Sequence, residues 1–340
     1  MHTVELSPKV FYQRIQEYQE AQLLFAGIRL DVFSHLQDYS SPGEVAAHTG
    51  YHERNLRLFL NSLASIGLLD MQNGRYKNKP AADEYLNRNS DTYLGDYILF
   101  RERMTGLEHV EERVRNGPVA EVEQSNDGLG VYDFYTLAKL TAREMYTGRV
   151  QSFLKAAECL LNKNEPVKVL DLGGGPGVMA IELIKNYPGA EGVVFEHPEV
   201  ARVPEETVKA AGLEGRIGIV AGDFLSDDIG KHYDLIIASG ILDFAKENIN
   251  SMADKLYRAL KPSGYLYLVS HDVSEDFLSP KESIVGWLSG QLDGLNVLLC
   301  KTSIDSALMA AGFESLNKDR IAGMMNNLQG EFYVKGQGNE

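Results

Sequence analysis

The pattern of apolar and polar residues divides the 340-residue chain near residue 165. Upstream, apolar residues recur three or four positions apart over most of the length, which is the spacing of amphipathic helices. Downstream, short continuous apolar runs alternate with helical stretches, a pattern typical of parallel strands covered on both faces. We therefore predict an α/β protein in which a Rossmann-like domain with a mostly parallel, seven-stranded sheet follows a mainly helical N-terminal domain.

The first 90 residues predict three helices and a β-hairpin. The first helix is predicted from Lys9 to Ala26. The second begins at Ser41-Pro42-Gly43-Glu44, which offers a capping serine, a proline at the first helical position and a glutamate three residues after the cap. A third helix is predicted over Glu53–Ile66, and Asn73-Gly74 between two short strands is a strong hairpin signal. This order is that of a winged-helix domain.

A winged-helix domain either binds DNA or serves packing and dimerisation. The predicted third helix has a broad apolar face and only two basic residues, Arg54 and Arg57, whereas a DNA-reading helix normally carries a basic stripe. The formal net charge of the whole chain is −15, which repels phosphate backbones and anionic lipid. We expect a dimerisation role, with no nucleic-acid and no membrane partner.

The number of cysteines and the length of the apolar runs indicate in which cellular compartment the protein is expected. Cys159 and Cys300 are the only cysteines, too few for a disulfide framework. The N-terminus has neither the basic region nor the apolar run of a signal peptide, and no stretch reaches the roughly 18 apolar residues of a membrane-spanning helix. The expected location is the cytoplasm.

Three domain assignments follow from these patterns. Residues 1–90 are assigned to the winged-helix domain, 91–164 to a helical bridging region that roofs a pocket, and 165–340 to the Rossmann-like domain. The seven strands of the latter are predicted at Val167–Leu172, Val193–Glu196, Ile217–Ala221, Tyr233–Ala238, Tyr265–Ser270, after Gly312-Phe313, and at Gly330–Lys335.

A glycine-rich loop, Asp171-Leu172-Gly173-Gly174-Gly175-Pro176-Gly177, lies between the first of these strands and its helix. Parallel sheets bind ligands at the carboxyl ends of their strands, and glycines let a cofactor approach the backbone. A nicotinamide dinucleotide is disfavoured because Val178 replaces the third glycine of its fingerprint and Pro176 lacks an N–H that would face a phosphate. S-adenosylmethionine (SAM) has no pyrophosphate and suits this loop better, while a tight turn without a ligand is the third interpretation.

Two further acids follow the next two strands. Glu196 ends the second strand, where an acid accepts hydrogen bonds from ribose hydroxyls in NAD and SAM sites alike. Asp223 follows Gly222 at the end of the third strand, beside the adenine position of such folds. A loop acid or a helix cap would explain either residue alone. Together with Asp171 and the glycines, they favour a nucleoside-containing cofactor.

The chain at this point resembles the class I SAM-dependent O-methyltransferases with an N-terminal winged-helix dimerisation domain, which include plant phenolic, hydroxyindole and bacterial polyketide methyltransferases. The resemblance covers nearly the whole chain. It rests on the segments 26–33 and 63–69, the glycine-rich loop, Phe195-Glu196-His197-Pro198, Gly222-Asp223-Phe224 and Ala310-Ala311-Gly312-Phe313.

The resemblance implies SAM as the methyl donor, S-adenosylhomocysteine as its product, and a homodimer formed through the N-terminal domain. The methionine end would lie at the glycine-rich loop, the ribose at Glu196, where the family more often has aspartate, and the adenine between Asp223 and Phe224. The complete set of expected cofactor contacts is Asp171, Gly173, Gly175, Glu196, Gly222, Asp223, Phe224 and Ser239.

One departure from the family concerns activation of the acceptor. Many members carry Leu-His-Asp-Trp after the fourth strand, and its histidine is the general base. The matching segment here is Ile241-Leu242-Asp243-Phe244, so a leucine, which cannot accept a proton, takes the histidine's place. His271, just past the fifth strand, is our candidate for a replacement base, with Asp272 to orient it and a plain surface or structural role as the alternative. We also count Asp243 among the catalytic candidates, although not as the base, and His109 is a weaker candidate.

The expected function is methyl transfer to a small aromatic acceptor, with O-methylation favoured. Because only a protonated nucleophile needs a base, an acceptor that ionises unaided and a carbon or nitrogen nucleophile remain open. A SAM-binding homologue with decarboxylase- or hydroxylase-like chemistry is the alternative, and a SAM-sensing winged-helix regulator is a further one. No cluster of residues has metal-ligand spacing.

Overall fold

The structure, a computed structural model, describes residues 7–126, 128–316, 321–322 and 329–336. The chain forms two compact units, Met1–Arg103 and Met104–Glu340. Each unit is described by itself below.

The first unit is mainly helical and carries one hairpin. Its elements are α1 (Lys9–Arg29), a 3-10 turn (Val32–His35), α2 (Pro42–Thr49), α3 (Glu53–Ser65), β1 (Leu69–Gln72), β2 (Arg75–Asn78), α4 (Pro80–Leu86) and α5 (Gly95–Met104). The predicted order of three helices and a hairpin is confirmed. Its core is built around Phe33, Leu60 and Leu63, which are fully buried.

Local sequence signals account for the element boundaries in this unit. The Ser41 hydroxyl accepts the Glu44 N–H at 3.2 Å and the Glu44 carboxylate accepts the Ser41 N–H at 2.6 Å, so α2 begins with a complete capping box. Gly50 ends the same helix in the left-handed region, at φ 74°. Asn73 and Gly74 both have positive φ, as the two-residue turn between twisted strands requires.

The second unit alternates strands and helices after an initial helical stretch. Its helices are α6 (Val110–Asn116), α7 (Ala120–Ser125), α8 (Phe134–Met145), α9 (Arg149–Ala157), α10 (Val178–Asn186), α11 (Arg202–Ala210), α12 (Ile249–Ala259), α13 (Lys281–Gly286), α14 (Leu288–Asp293) and α15 (Lys301–Ala311), with 3-10 turns at Gly128–Gly130 and Leu242–Asn248. Its strands are β3 (Lys168–Leu172), β4 (Glu191–Glu196), β5 (Ile217–Ala221), β6 (Tyr233–Ser239), β7 (Leu260–Val269), β8 (Phe313–Ser315), β9 (Ile321–Ala322) and β10 (Gln329–Lys335).

Seven strands form the sheet in the order β5-β4-β3-β6-β7-β10-β8, and the two-residue strand β9 pairs with β10. The five strands from β5 to β7 are parallel, whereas β10 runs antiparallel to both of its neighbours. The mostly parallel, seven-stranded sheet is therefore confirmed. β7 begins at Leu260, five residues before the predicted start at Tyr265. Its pairing register with β6 shifts between the residue paired with Tyr233 and the residue paired with Leu235.

Both faces of the sheet are covered by helices, which explains the continuous apolar strands. Val169 packs with α10 residues such as Ile184 on one face, while Leu170 packs with α12 residues such as Leu256 on the other. The carboxyl ends of the parallel strands are thereby held at one edge by two independent cores. Within the described parts of the chain, we find no helix with the length and apolarity to span a membrane.

Candidate functional site

The glycine-rich loop joins β3 to α10 in a conformation that suits glycine. Gly173, Gly175 and Gly177 have φ values of 58°, 55° and 70°, in the left-handed region that ordinary residues avoid. A Cβ on Gly173 would lie 2.6 Å from Cγ2 of Ile241. The Gly173 N–H donates to the carbonyl of Phe195 on the neighbouring strand at 2.8 Å. The loop is thus a fixed cradle of backbone at the end of the sheet.

Asp171 and Glu196 place two carboxyl groups beside this loop. Asp171 is 2% exposed, and its carboxyl group accepts a long bond of 3.3 Å from the Ala180 N–H. Burial, together with the charge of Glu196, raises its pKa to about 7 against the pull of that N–H. Burial also raises the pKa of Glu196, although its two oxygens accept the N–H groups of Gly175 and His197, each at 2.7 Å.

The segment after β5 forms a tight, self-bonded loop. The Asp223 carboxylate accepts the Leu225 N–H and the Ser226 hydroxyl, each at 2.9 Å, so this acid caps a turn as well as facing the cavity described next. Gly222 donates its N–H to the carbonyl of Glu196 at 3.0 Å. This bond ties the loop after β5 to the end of β4.

A cavity of about 580 Å³ lies at the carboxyl ends of the strands. Seven of the eight predicted cofactor residues line it, and Gly222 lies beside them without lining it. Ser239 contributes a buried hydroxyl oxygen that has no hydrogen-bond partner among the residues the structure describes. Such a group is costly unless a ligand or water completes it. A second cavity, of about 290 Å³, lies at the amino ends of the strands beside Lys168 and Glu191 and contains none of the predicted residues.

Sequence reasoning expected a helical roof over a pocket, but it did not identify Arg149 or Phe244 as residues that line the cavity. Arg149, at the start of α9, lines it and binds the buried carboxylate of Glu144 at 3.2 Å. The rings of Phe134 and Phe244 also line it and meet edge to face, with centroids 5.9 Å apart. These residues belong to three separate segments, and no local pattern marks them. The predicted pocket-roofing role of the helical region does agree with this wall.

The two catalytic candidates are brought together by the fold. His271 Nδ1 lies 2.8 Å from Asp243 Oδ2, and Asp243 Oδ1 accepts the Leu299 N–H at 3.1 Å. The exposed fraction is 11% for the His271 side chain and 2% for that of Asp243. The acid on His271 is therefore Asp243, whereas Asp272 accepts a bond of 3.3 Å from the Ser270 hydroxyl. The orienting role suggested for Asp272 is thus taken by Asp243.

Neither member of the His271–Asp243 pair is among the residues lining the cavity. Two aromatic rings connect the pair to it. Trp287 meets His271 edge to face at 5.4 Å and meets the cavity-lining Phe244 at 6.3 Å. His109, the weaker candidate, is largely exposed and lies 3.8 Å from Glu112.

The pair has the chemistry of an oriented imidazole. A carboxylate that accepts the Nδ1 proton fixes the ring and its tautomer, which leaves Nε2 as the basic nitrogen. Among the residues that the structure describes, no group of three or more histidine, cysteine, aspartate or glutamate side chains is arranged to hold a metal ion.

Two family models match the chain. Residues 141–289 match the O-methyltransferase domain and residues 12–88 match the O-methyltransferase dimerisation domain. Together they cover more than half of the 340 residues. Each compact unit contains the whole of one match.

Curated relatives and solved structures agree with these models. The 3-hydroxy-5-methyl-1-naphthoate 3-O-methyltransferase of Streptomyces sahachiroi is 29% identical over 76% of this chain and 75% of its own length. The tetracenomycin polyketide synthesis 8-O-methyl transferase of Streptomyces glaucescens is 27% identical over 85% and 86%. The fold matches that of human N-acetylserotonin methyltransferase, solved in complex with SAM, at a TM-score of 0.71 and 22% identity over 99% and 100% of the two chains.

The glycine-rich loop, the carboxyl groups and the cavity thus occur in a chain whose two halves match the two domains of one enzyme family. The relatives align with most of the chain and are themselves O-methyltransferases. The chain belongs to the class I SAM-dependent O-methyltransferase family with an N-terminal dimerisation domain, and it is a SAM-dependent methyltransferase.

Proposed function

We propose that this enzyme transfers the methyl group of SAM to a hydroxyl group of a small, flat aromatic acceptor of the polyketide or naphthoate kind. The observation that carries the proposal is the 580 Å³ cavity, which is lined by the glycine-rich loop, by the acids Asp171, Glu196 and Asp223, and by the rings of Phe134 and Phe244. The two Streptomyces relatives, which are named for naphthoate and tetracenomycin polyketide methylation, support this acceptor class.

The lining suits SAM group by group. The unpartnered Ser239 hydroxyl and the carboxylate of Asp171 suit the polar atoms of the methionine end. The guanidinium of Arg149 suits the carboxylate of the methionine end. Each oxygen of Glu196 accepts one backbone N–H and retains a lone pair for the ribose hydroxyls. The adenine then lies beside Asp223 and Phe224.

The protein's part in the reaction is positioning, because bound SAM supplies an already activated methyl group. The chain must hold the acceptor oxygen in line with the transferred group and exclude water, which contributes several kcal/mol to such reactions. In this proposal the fixed loop positions the methyl donor, and the aromatic wall positions the acceptor and excludes water.

We assign proton removal from the acceptor hydroxyl to His271. Asp243 accepts its Nδ1 proton, so Nε2 takes the proton of the acceptor. In this proposal the acceptor binds between Phe244 and His271, beside Trp287, which contacts both of them. His271 thereby replaces the base that Leu242 cannot provide.

We also propose a homodimer formed through the N-terminal unit. The dimerisation-domain match supports it. So does helix α1, whose apolar side chains at Val10, Phe11, Tyr12, Ile15 and Tyr18 are between 50% and 70% exposed. Burying such a row of side chains against a second copy would remove this apolar surface from water. The cytoplasmic location stays a prediction.

A second candidate function follows from Leu242, which is 1% exposed and packed in the core where the family places its base. Without a base, the cavity would serve methyl transfer to an acceptor that ionises unaided or to a carbon or nitrogen nucleophile, or SAM-dependent chemistry other than methyl transfer, such as decarboxylation or hydroxylation. The His271–Asp243 pair makes methyl transfer the better-supported function.

The test combines product analysis with a matched pair of histidine variants. Incubated with SAM and hydroxylated naphthoates or aromatic polyketides, the enzyme is expected to give a product with one added methyl group and an equal amount of S-adenosylhomocysteine by mass spectrometry. His271→Asn should lower turnover by about 100-fold or more, while SAM affinity, measured by calorimetry, stays unchanged. The exposed His109→Asn serves as the control and should retain full turnover.

Two results would count against these assignments. Full turnover in His271→Asn would remove that residue from the mechanism. Loss of a carboxyl group or gain of an oxygen by the acceptor, without S-adenosylhomocysteine, would favour the second candidate function.

A further inference from the structure

Lys255 on α12 reaches across to the loop that follows β5. Its Nζ donates to the backbone carbonyls of Phe224 at 2.9 Å, Leu225 at 3.0 Å and Asp227 at 2.9 Å. An ammonium group has three N–H donors, so all three donors of this side chain bind one short stretch of backbone. A surface lysine with a free choice of partners would remain in water instead.

The loop is already curved by its own acids, which explains why its carbonyls face the lysine. Asp227 accepts the Asp223 N–H at 2.8 Å, and Asp223 accepts the Leu225 N–H at 2.9 Å. The Ser226 and Asp227 N–H groups donate to the Asp223 carbonyl at 3.2 and 2.8 Å, so four N–H groups of residues 223–227 have partners inside the loop. Lys255 binds the carbonyls of Phe224, Leu225 and Asp227, and its bond to the Phe224 carbonyl is part-buried.

The same loop forms a wall of the cavity. Asp223, Phe224 and Leu225 all line it. The helix that carries Lys255 is anchored in the core through Met252 and Leu256, which are buried on its inner face. Lys255 therefore links a rigid element to the cavity wall that holds these three side chains.

We propose that Lys255 is a positioning residue for the adenosine half of the cofactor, acting through the backbone of residues 223–227. This inference rests on the proposed placement of the adenine beside Asp223 and Phe224. A cavity wall that is already held in its binding conformation loses no conformational entropy when the ligand binds. Removal of Lys255 leaves the two exposed carbonyls to water, so the loop loosens while the domain stays folded.

The test uses two ligands that differ at the far end. S-adenosylhomocysteine carries both adenosine and the amino acid, whereas 5′-methylthioadenosine carries only the adenosine end. Lys255→Met should weaken both by about tenfold in calorimetry. The KM for SAM should rise by a similar factor, with a much smaller change in kcat, because the chemistry at the methyl group is untouched.

Three further variants separate this effect from general damage. Lys255→Gln keeps a shorter donor and should weaken both ligands by an intermediate factor, which keeps the test decisive if the Met variant folds poorly. Arg149→Met, at the amino-acid end, should weaken S-adenosylhomocysteine and leave 5′-methylthioadenosine unaffected. Lys209→Met alters an exposed lysine of α11 and should change neither affinity.

The outcomes bear differently on the two proposals. Unchanged affinity for both ligands in Lys255→Met and Lys255→Gln would overturn the inference, and so would a loss confined to S-adenosylhomocysteine. If the unaltered enzyme bound neither ligand, the placement of the cofactor in this cavity would fail instead, and the inference with it.

Discussion

Asp171 is a carboxyl group that the folded chain keeps out of water beside a second carboxyl group. Its pKa rises from its usual 3.8 to about 7, chiefly through burial. Between those pH values the folded protein retains a proton that the unfolded chain has released. Stability contributed by this residue therefore falls as pH rises from about 4 to about 7. A bound cofactor with a positive charge would favour the ionised form and offset this loss.

Replacing Asp171 with asparagine should remove that pH dependence. The asparagine amide does not titrate. The free energy of unfolding of Asp171→Asn minus that of the unaltered protein should therefore increase by about 2 kcal/mol between pH 5 and pH 8. Urea unfolding of the ligand-free protein measures it, and the fluorescence of Trp287, the only tryptophan, reports on the second unit. A difference that does not vary with pH would contradict the raised pKa. The exposed Asp254→Asn is the control.

At the scale of elements, the β3–loop–α10 connection depends on backbone that only glycine adopts easily. Gly173 combines a positive φ with a close approach to Ile241, so both torsion and space exclude a side chain. Its N–H is also fixed to β4. A substitution here displaces the loop relative to the strand ends and so disturbs the cavity wall directly.

Gly173→Ala should weaken SAM binding by at least about tenfold, since left-handed backbone alone costs about 1–2 kcal/mol for a residue with a Cβ. Adding Ile241→Ala should restore part of the affinity by relieving the contact, but not the torsional cost. Calorimetry with SAM measures both. Gly218→Ala in β5, where a Cβ meets nothing within 4 Å, is the matched control, and an equal loss there would show that the effect is not local.

At the scale of the whole molecule, the N-terminal unit presents apolar surface that its own core does not use. The first two turns and more of α1 are exposed, and burial begins only near the end of the helix at Gly27 and Ile28. A row of exposed aromatic and aliphatic side chains on one long helix is uncommon in a monomer. The proposed dimer gives this surface a partner of matching composition.

Charges placed in this row should separate the subunits. Phe11→Lys combined with Ile15→Lys would bury two unpaired ammonium groups in the proposed interface, which is strongly unfavourable, so sedimentation velocity should show a monomer where the unaltered protein is a dimer. Val114→Lys, at a site of equal exposure on α6, should leave the dimer intact. A dimer that persists in the double variant would place the interface elsewhere.

Local signals in the sequence determined much of this architecture. The strand Ile217–Ala221 was predicted with the bounds that the structure has, because apolar runs and flanking glycines act within a few residues. The capping box at Ser41 and the hairpin at Asn73-Gly74 are equally local. The glycine-rich loop could be recognised for the same reason, since its own glycines determine its backbone conformation.

Only the tertiary structure decided which side chains meet. Asp243 and His271 are 28 residues apart, and nothing in either segment indicates that the acid beside Leu242, rather than neighbouring Asp272, binds the histidine. Arg149 enters the cavity from a distant helix, and Lys255 is an ordinary polar position on α12 until its three carbonyl partners are seen. Such contacts depend on how helices pack across the sheet, which short-range periodicity does not encode. The cofactor loop is therefore a property of its sequence, whereas the proposed base and the supports of the cavity wall are properties of the fold.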